Sequence, residues 1–300
     1  MCTFNGERFL REQLDSFERQ SYTNWHLWVS DDGSTDKTMD ILCEYQRKWG
    51  LEKITIFRGP EGGFAANFMS LMVRSEIQAD YYALSDQDDI WKSEKLAKAT
   101  KKLENSESSR PRLYCSRTEL IDKDGAALGF SPYFVRPPSF LNALVQSIAG
   151  GNTMVFDNSL RDVVKAFGPY ANSVVSHDWA LYQLATGAGG TIIYDRWASV
   201  KYRQHTANAI GSNIGFIARI VRAHKLLRGD YADWLSRNIS CLINLKEDLE
   251  PDAQRAINDF EGLRKENLFK LPRRFLKSGF YRQTRVGNIG LFIGLVIGKV

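Results

Sequence analysis

A chain of 300 residues that is 43% hydrophobic and 25% charged has the make-up of an ordinary globular protein, which excludes disorder and allows a large core without covalent staples. The four scattered cysteines (Cys2, Cys43, Cys115, Cys241) form no CxxC pair, so they read as small buried hydrophobes in a reducing compartment rather than disulfides or a zinc centre. The net charge of +5 is uneven: residues 206–300 hold 16 Lys+Arg against 9 Asp+Glu, which leaves −2 for residues 1–205.

Polar Thr3, Asn5 and Glu7 follow Met1 at once, which argues against a secretory leader. The next segment, "GERFLREQLDSFERQ", spaces Phe9, Leu10, Leu14 and Phe17 as a helix does. "WHLWVS" (25–30) is a short strand that stops at "DDGSTD", where Ser34 or Thr35 is placed to cap a helix through Met39, Ile41, Leu42 and Tyr45. "KITIFR" (53–58) is a strand, "GPEGG" a glycine-rich turn, and a helix follows through Phe68, Leu71 and Met72. "ADYYALS" and "KSEKLAKATKKLE" repeat the strand–helix alternation, which predicts an open, mostly parallel sheet flanked by helices. Such a sheet needs an apolar strand before "FNGERFL", and with only Met1–Phe4 there the chain reads as beginning inside its first strand. Beyond Pro111, "RLYCS" and "TIIYD" read as strands and "IDKDGAAL" as a hairpin. After residue 210 only helical periodicity remains, in "IGFIARIVRAHKLL" and "YADWLSRNISCLINLKEDL". No run nears the roughly 18 apolar residues of a spanning helix.

Ligands of open α/β sheets bind beyond the carboxyl ends of the strands. Three polar clusters follow predicted strands and should share one rim: "TFNGE" (3–7), "SDDGSTD" (30–36) and "SDQDD" (85–89). Asp31 and Asp32 are placed to accept hydrogen bonds from a base or ribose, or to cap the following helix. Asp86, Asp88 and Asp89 repel one another unless a cation offsets them. Carboxylates suit Mg²⁺ or Mn²⁺, which take one or two of them plus substrate phosphates. The plainer alternative is a solvated acidic turn.

These stretches, with "GGFAANF" (62–68), "SDQDDIW" (85–91), "GGNTMVFD" (150–157), "SHDWAL" (176–181) and "YRQHTANAIG" (202–211), resemble family 2 glycosyltransferases, and "SDQDDIW" resembles bacterial rhamnosyltransferases in particular. The resemblance covers about the first 210 residues. It implies the GT-A nucleotide-sugar-binding fold over residues 1–210 and a helical, basic extension over 211–300. It further implies inverting, metal-dependent transfer of a sugar, L-rhamnose from dTDP-L-rhamnose, to a hydroxyl of a lipid-linked or oligosaccharide acceptor in a bacterial surface glycan. By position, Thr3, Asn5, Glu7, Asp31, Asp32, Asn67 and Asp86 would border the nucleotide, while Asp86, Asp88 and His205 would hold Mg²⁺ or Mn²⁺. Asp178 would be the base, with His177 beside it tuning that base or merely packing; the plainer alternative for Asp178 is a cap for its helix. Asp89, Gly151, Asn152, Trp179 and Arg203 would face donor or acceptor, although Gly150–Asn152 also reads as a plain turn and His205 as a surface histidine. The QxxRW motif of processive synthases is absent, which favours single-sugar addition. A nucleotidyltransferase would want a glycine-rich, Lys/Arg-bearing loop after the first strand, and "TFNGERF", with its single glycine, lacks that composition; a degenerate sugar-nucleotide-binding module is the non-enzymatic alternative.

Residues 264–300 hold nine Lys+Arg and one acid, Glu266, interleaved with bulky apolar side chains. That pattern fits an anionic membrane surface, and hence a cytoplasmic protein peripheral on the inner membrane; helices folded back on the catalytic domain are the alternative. Gly290, Gly294 and Gly298 would form a small-residue stripe for packing, including against a second copy. No nucleic-acid-binding module is present.

Overall fold

In a computed structural model that describes residues 1–107, 109–168, 173–205 and 228–300, Cys2–Thr3 (β1), Leu27–Asp31 (β2) and Ile54–Arg58 (β3) form a parallel sheet in the order β1–β2–β3. Register places Thr3 opposite Asp31 and Asp31 opposite Arg58, so the polar ends of all three strands lie level. Helices Leu10–Glu18 (α1) and Thr38–Trp49 (α2) supply the two crossovers that these parallel strands require, and Phe64–Met72 (α3) leads out of this sheet after β3. Leu10, Leu14 and Phe17 bury the apolar stripe of α1, and α2 stops at Gly50, whose φ of 88° suits glycine. Neither Ser34 nor Thr35 caps α2. Asp36 does that work, its Oδ1 accepting the Thr38 amide at 3.0 Å.

The second sheet is mixed. Tyr81–Ala83 (β4), Ile90–Trp91 (β5), Arg112–Ile121 (β6), Ala127–Phe130 (β7), Val155–Asp157 (β8) and Thr191–Arg203 (β9) run in the order β4–β8–β6–β9–β5, with β7 on β6. Only β6 and β9 are parallel; the remaining pairs are antiparallel. The parallel expectation therefore holds for β1–β3 and for β6–β9. Elsewhere the pairs are antiparallel: the predicted Asp122–Ala126 hairpin joins β6 to β7, whereas β4–β8 and β5–β9 pair across long connections. The two sheets meet where the Cys2 amide donates to the Ser85 carbonyl at 3.3 Å.

Helix Lys95–Glu104 (α4) and the short helix Phe140–Ala143 (α5) precede Asn158–Phe167 (α6), which Asp157 caps through the Leu160 amide at 3.0 Å. His177–Gly187 (α7) is apolar on nearly every face and is correspondingly buried. The C-terminal helices Asp230–Asn244 (α8), Pro251–Arg264 (α9), Leu271–Ser278 (α10) and Arg285–Val296 (α11) fold back on this core. Leu235, Ile239, Phe260, Leu271 and Leu291 join Trp179, Leu181 and Leu184 of α7 in one hydrophobic cluster. The polar seam includes Asn142 Nδ2 donating to the Tyr281 carbonyl at 2.9 Å and Gln283 Nε2 donating to the Arg136 carbonyl at 3.1 Å. The predicted boundary at residue 210, the helix over 214–227 and the end of "YRQHTANAIG" lie outside the described residues.

Three cysteines are buried as expected; Cys43 is exposed. Of the proposed glycine stripe only Gly294 is buried within α11: Gly298 lies past the helix end at φ 66°, and a Cβ at Gly290 or Gly298 would meet open space.

Candidate active site

The three polar clusters do meet, through a web of backbone-to-side-chain bonds. Asn5, at φ 48°, donates its amide to Ser34 Oγ and accepts the Thr35 amide on Oδ1, both at 2.9 Å. The Gly6 amide donates to Thr38 Oγ1 at 2.7 Å, and Glu7 Oε2 accepts the Lys37 amide at 2.9 Å. From the third loop, Gln87 grips Phe4 on both sides: its Oε1 accepts the Phe4 amide at 2.8 Å and its Nε2 donates to the Phe4 carbonyl at 2.9 Å. Gly6 makes room for this clamp, since a Cβ there would lie 2.3 Å from Gln87 Oε1. An open cleft of about 530 Å³ lies along the outer side of this web, lined by Glu7, Arg8, Arg11, Lys37, Asp40 and Ile41.

At the centre of the rim, Asp88 Oδ2 and His205 Nε2 stand 2.8 Å apart, bridging 117 residues of sequence. The His205 ring leans on Phe9, their centroids 5.1 Å apart. Asp86 lies beside them. Burial and then the like charges of Asp88 and Asp178 push its carboxyl up to about 7, against the opposing pull of the N-terminal amine and Lys95. Asp178, the second residue of α7, is near enough to the acidic loop for its charge to act on Asp86. Ser176 rather than Asp178 occupies the cap position of α7.

Among the described residues, no three His, Cys, Asp or Glu side chains form a metal-holding group by themselves. The expected ligands Asp86, Asp88 and His205 thus make an Asp88–His205 pair with Asp86 alongside rather than a closed cage. That set fits Mg²⁺ or Mn²⁺ in the open form these ions favour, where phosphates and water complete the shell. The mutually repelling carboxylates supply the reason for a cation there.

Several residues expected to face ligand are instead enclosed. Both oxygens of Asp31 are taken by protein donors: Thr3 Oγ1 at 2.7 Å, Ser34 Oγ at 2.6 Å, the Ser34 amide at 2.8 Å and the Gly33 amide at 3.2 Å. Thr3 is consequently a buried support for Asp31. Asp32 holds the "GPEGG" turn through the Glu61 and Gly63 amides at 2.7 and 2.9 Å. Asn67 is buried beneath β2, its Nδ2 donating to the Ser30 carbonyl at 2.9 Å and its Oδ1 without a partner. Asp89, fully buried, accepts Asn152 Nδ2 at 2.6 Å and the Arg203 amide at 3.2 Å. Asn152 in turn receives Lys95 Nζ on its carbonyl at 2.7 Å. Arg203, 1% exposed, reaches the Asp88 carbonyl at 3.0 Å and Glu12 Oε2 at 2.7 Å, with its guanidinium over Phe9. Trp179 is buried and donates Nε1 to the Ala143 carbonyl at 2.6 Å. These residues build the wall behind the acids instead of presenting themselves to a sugar.

Sequence reasoning missed Gln87 and Lys95. Gln87 was legible only as the neutral member of "SDQDD". Lys95 carried a clearer signal, since Lys95, Ala99 and Leu103 share one face of α4 and the other two are apolar. Burial holds the Lys95 ammonium well below the usual lysine range, opposed by Asp89 and Asp86.

His177 packs flat on Phe68, centroids 3.9 Å apart, and neither ring nitrogen has a partner. Burial holds it down to about 4, so at neutral pH the ring is uncharged. Gly151, which opens the short turn Gly151–Thr153, is fixed by this ring: a Cβ would lie 2.2 Å from His177 Nε2. Gly151→Ala should cost about 1–3 kcal/mol through overpacking, and His177→Ala should recover part of that loss. Denaturant melts of the two single variants and the double variant measure the coupling. Additive losses would show that the ring moves away freely.

The sequence model for glycosyl transferase family 2 matches residues 1–164. The dTDP-rhamnosyl transferase RfbG of Shigella flexneri is 31% identical over 234 residues, 74% of this chain and 77% of that protein. Among solved structures, S. aureus TarS 1-349 superposes with a TM-score of 0.54 at 14% identity, covering 92% of this chain and 76% of that one. The mannosyltransferase PcManGT from Pyrobaculum calidifontis, solved with GDP-Man and Mn2+, gives 0.51 at 15% identity, covering 99% and 85%. These neighbours share the GT-A fold. Sheets, acidic rim and sequence thus agree: the chain belongs to glycosyl transferase family 2 and is a glycosyltransferase.

Proposed function

We propose that this glycosyltransferase moves a single L-rhamnosyl group from dTDP-L-rhamnose to a hydroxyl of a bacterial surface-glycan acceptor, with inversion at the anomeric carbon. The observation that supports the reading is the Asp88–His205 pair at 2.8 Å, with Asp86 close enough to feel the charges of both Asp88 and Asp178. The similarity to a dTDP-rhamnosyl transferase supports the choice of donor.

Asp178, partly exposed at the start of α7, accepts the proton of the attacking hydroxyl. The new glycosidic bond forms as the bond from C1 to the diphosphate oxygen breaks on the opposite face. Asp88 and His205, with Asp86 beside them, would hold a divalent ion, which when bound would offset the charge of the departing diphosphate. The Arg203–Asp89–Asn152–Lys95 chain behind them fixes the acidic loop. His177, neutral and packed on Phe68, bounds the base's side of the site.

Thermal melts with dTDP-rhamnose, UDP-GlcNAc and GDP-mannose, each with and without Mn²⁺, test this reading. The dTDP sugar plus ion should raise the melting point most, and a ligand at 100 times its Kd adds about 2.7 kcal/mol. Asp88→Ala should abolish the ion-dependent part while leaving the apo melt nearly unchanged, because Asp88 retains partial solvent access. A shift with UDP-GlcNAc alone would transfer the assignment to a different donor, and no shift with any nucleotide sugar would sink it.

A further inference from the structure

We infer that α10, α11 and the loop before α10 form a docking surface for an anionic lipid bilayer, on which the protein lies without crossing. This goes beyond the proposed transfer and does not depend on it. Among the described residues no helix is long and apolar enough to span a membrane.

The exposed apolar side chains concentrate here. Phe269 is 98% exposed, Leu276 82%, Val286 74%, and Leu268 and Ile289 60% each. On α11, Val286, Ile289, Ile293 and Val296 recur at helical spacing on the outward side, while Leu291, Gly294 and Leu295 face the core. A helix apolar on both faces, only one of which meets protein, is anomalous in water. The α10 and α11 surfaces are continuous, because the Phe275 and Phe292 rings pack together at 5.4 Å. Leu276 is the next residue along from the first ring, and Ile289 and Ile293 flank the second.

Charge selects the occupant. Lys270, Arg273, Lys277 and Arg285 are exposed around this apolar strip. The one acid of residues 264–300, Glu266, is already held by Arg274 at 2.8 Å. A second copy of the same surface would bring cations against cations, whereas anionic headgroups would neutralise them as the apolar side chains enter the acyl boundary. Leu271 and Phe280 are meanwhile buried against the protein, so the surface is anchored to the fold rather than dangling from it.

The test uses the full chain in flotation with vesicles of phosphatidylcholine alone or with 30% phosphatidylglycerol. Binding is expected only to the anionic vesicles and should be released by 0.5 M salt. The reversal Lys270→Glu with Arg273→Glu and Lys277→Glu should lower partitioning by more than 100-fold, since each cation near such a surface contributes about a factor of five. Phe269→Ser with Leu276→Ser should weaken binding to the anionic vesicles even at low salt. Both variants should keep the wild-type melt, because every altered side chain is exposed, and should keep transfer to a soluble acceptor. Failure of the wild-type protein to float with anionic vesicles would overturn the inference. Equal binding to neutral vesicles would also overturn it, as would a dimer in solution that Val286→Ser with Ile289→Ser dissociates, which would assign the face to a second copy.

Discussion

Replacing Asp178 with asparagine should lower turnover by about 10²–10⁴-fold, the usual contribution of a positioned general base. That is roughly 3–5 kcal/mol of barrier at 1.36 kcal/mol per tenfold. The amide is nearly isosteric and can still accept the Trp179 amide hydrogen, a bond the carboxylate makes at 2.7 Å, so the start of α7 should not unravel. Donor affinity, read from the melting shift with nucleotide sugar and Mn²⁺, should stay within a factor of a few, because the loss falls on the step and not on ground-state binding. Steady-state kinetics with saturating donor would decide the matter. Turnover within tenfold of the wild type would remove Asp178 from proton transfer, and an equal collapse of donor binding would make it part of the nucleotide site.

Asp157→Ala should be the most destabilising of the single changes considered, at about 3–5 kcal/mol. Asp157 Oδ2 meets Arg112 Nε at 2.8 Å, and the two side chains are 4% and 12% exposed. Its Oδ1 also caps α6 and accepts the Arg112 amide at 3.1 Å. Truncation strands the guanidinium in a poorly solvated position with only the Leu103 carbonyl and remaining contacts to hold it. Asp157→Asn keeps the cap and the shape while losing the charge, and should cost distinctly less. Urea unfolding of the three proteins gives the comparison; a loss below 1 kcal/mol for alanine would mean that water reaches the pair in solution.

The strand–helix alternation of the first hundred residues was legible because each apolar run ends in a polar cluster, and the clusters do share a rim. The acids of "SDQDD" were legible as a set. Their division of labour was not. Asp88 faces His205, while across the bend at Gln87–Asp88 its neighbour Asp89 bonds Asn152 and the Arg203 amide in the wall. Which neighbour faces in depends on Asn152 and Arg203, far along the chain. Asp31 shows the same limit: its four donors come from Thr3, Gly33 and Ser34, and a sequence cannot reveal that an acid's lone pairs are already filled. Arg203 was expected to face donor or acceptor, yet at 1% exposure it serves the backbone of Asp88. The mixed second sheet was missed because short strands such as Val155–Asp157 carry too few residues to declare their direction.

Strand β9 has a consequence for any attempt to trim this enzyme. It is wedged between β6 and β5 and delivers His205 just past its end. A fragment cut at residue 164, where the family match stops, would lose the partner of Asp88 and the α7 carboxylate together. It would also bare the ladder edges of β6 and β5, an invitation to intermolecular strand pairing. Minimal versions should therefore be sought by shortening exposed loops, and a piece of the first half alone should precipitate before it binds any sugar nucleotide.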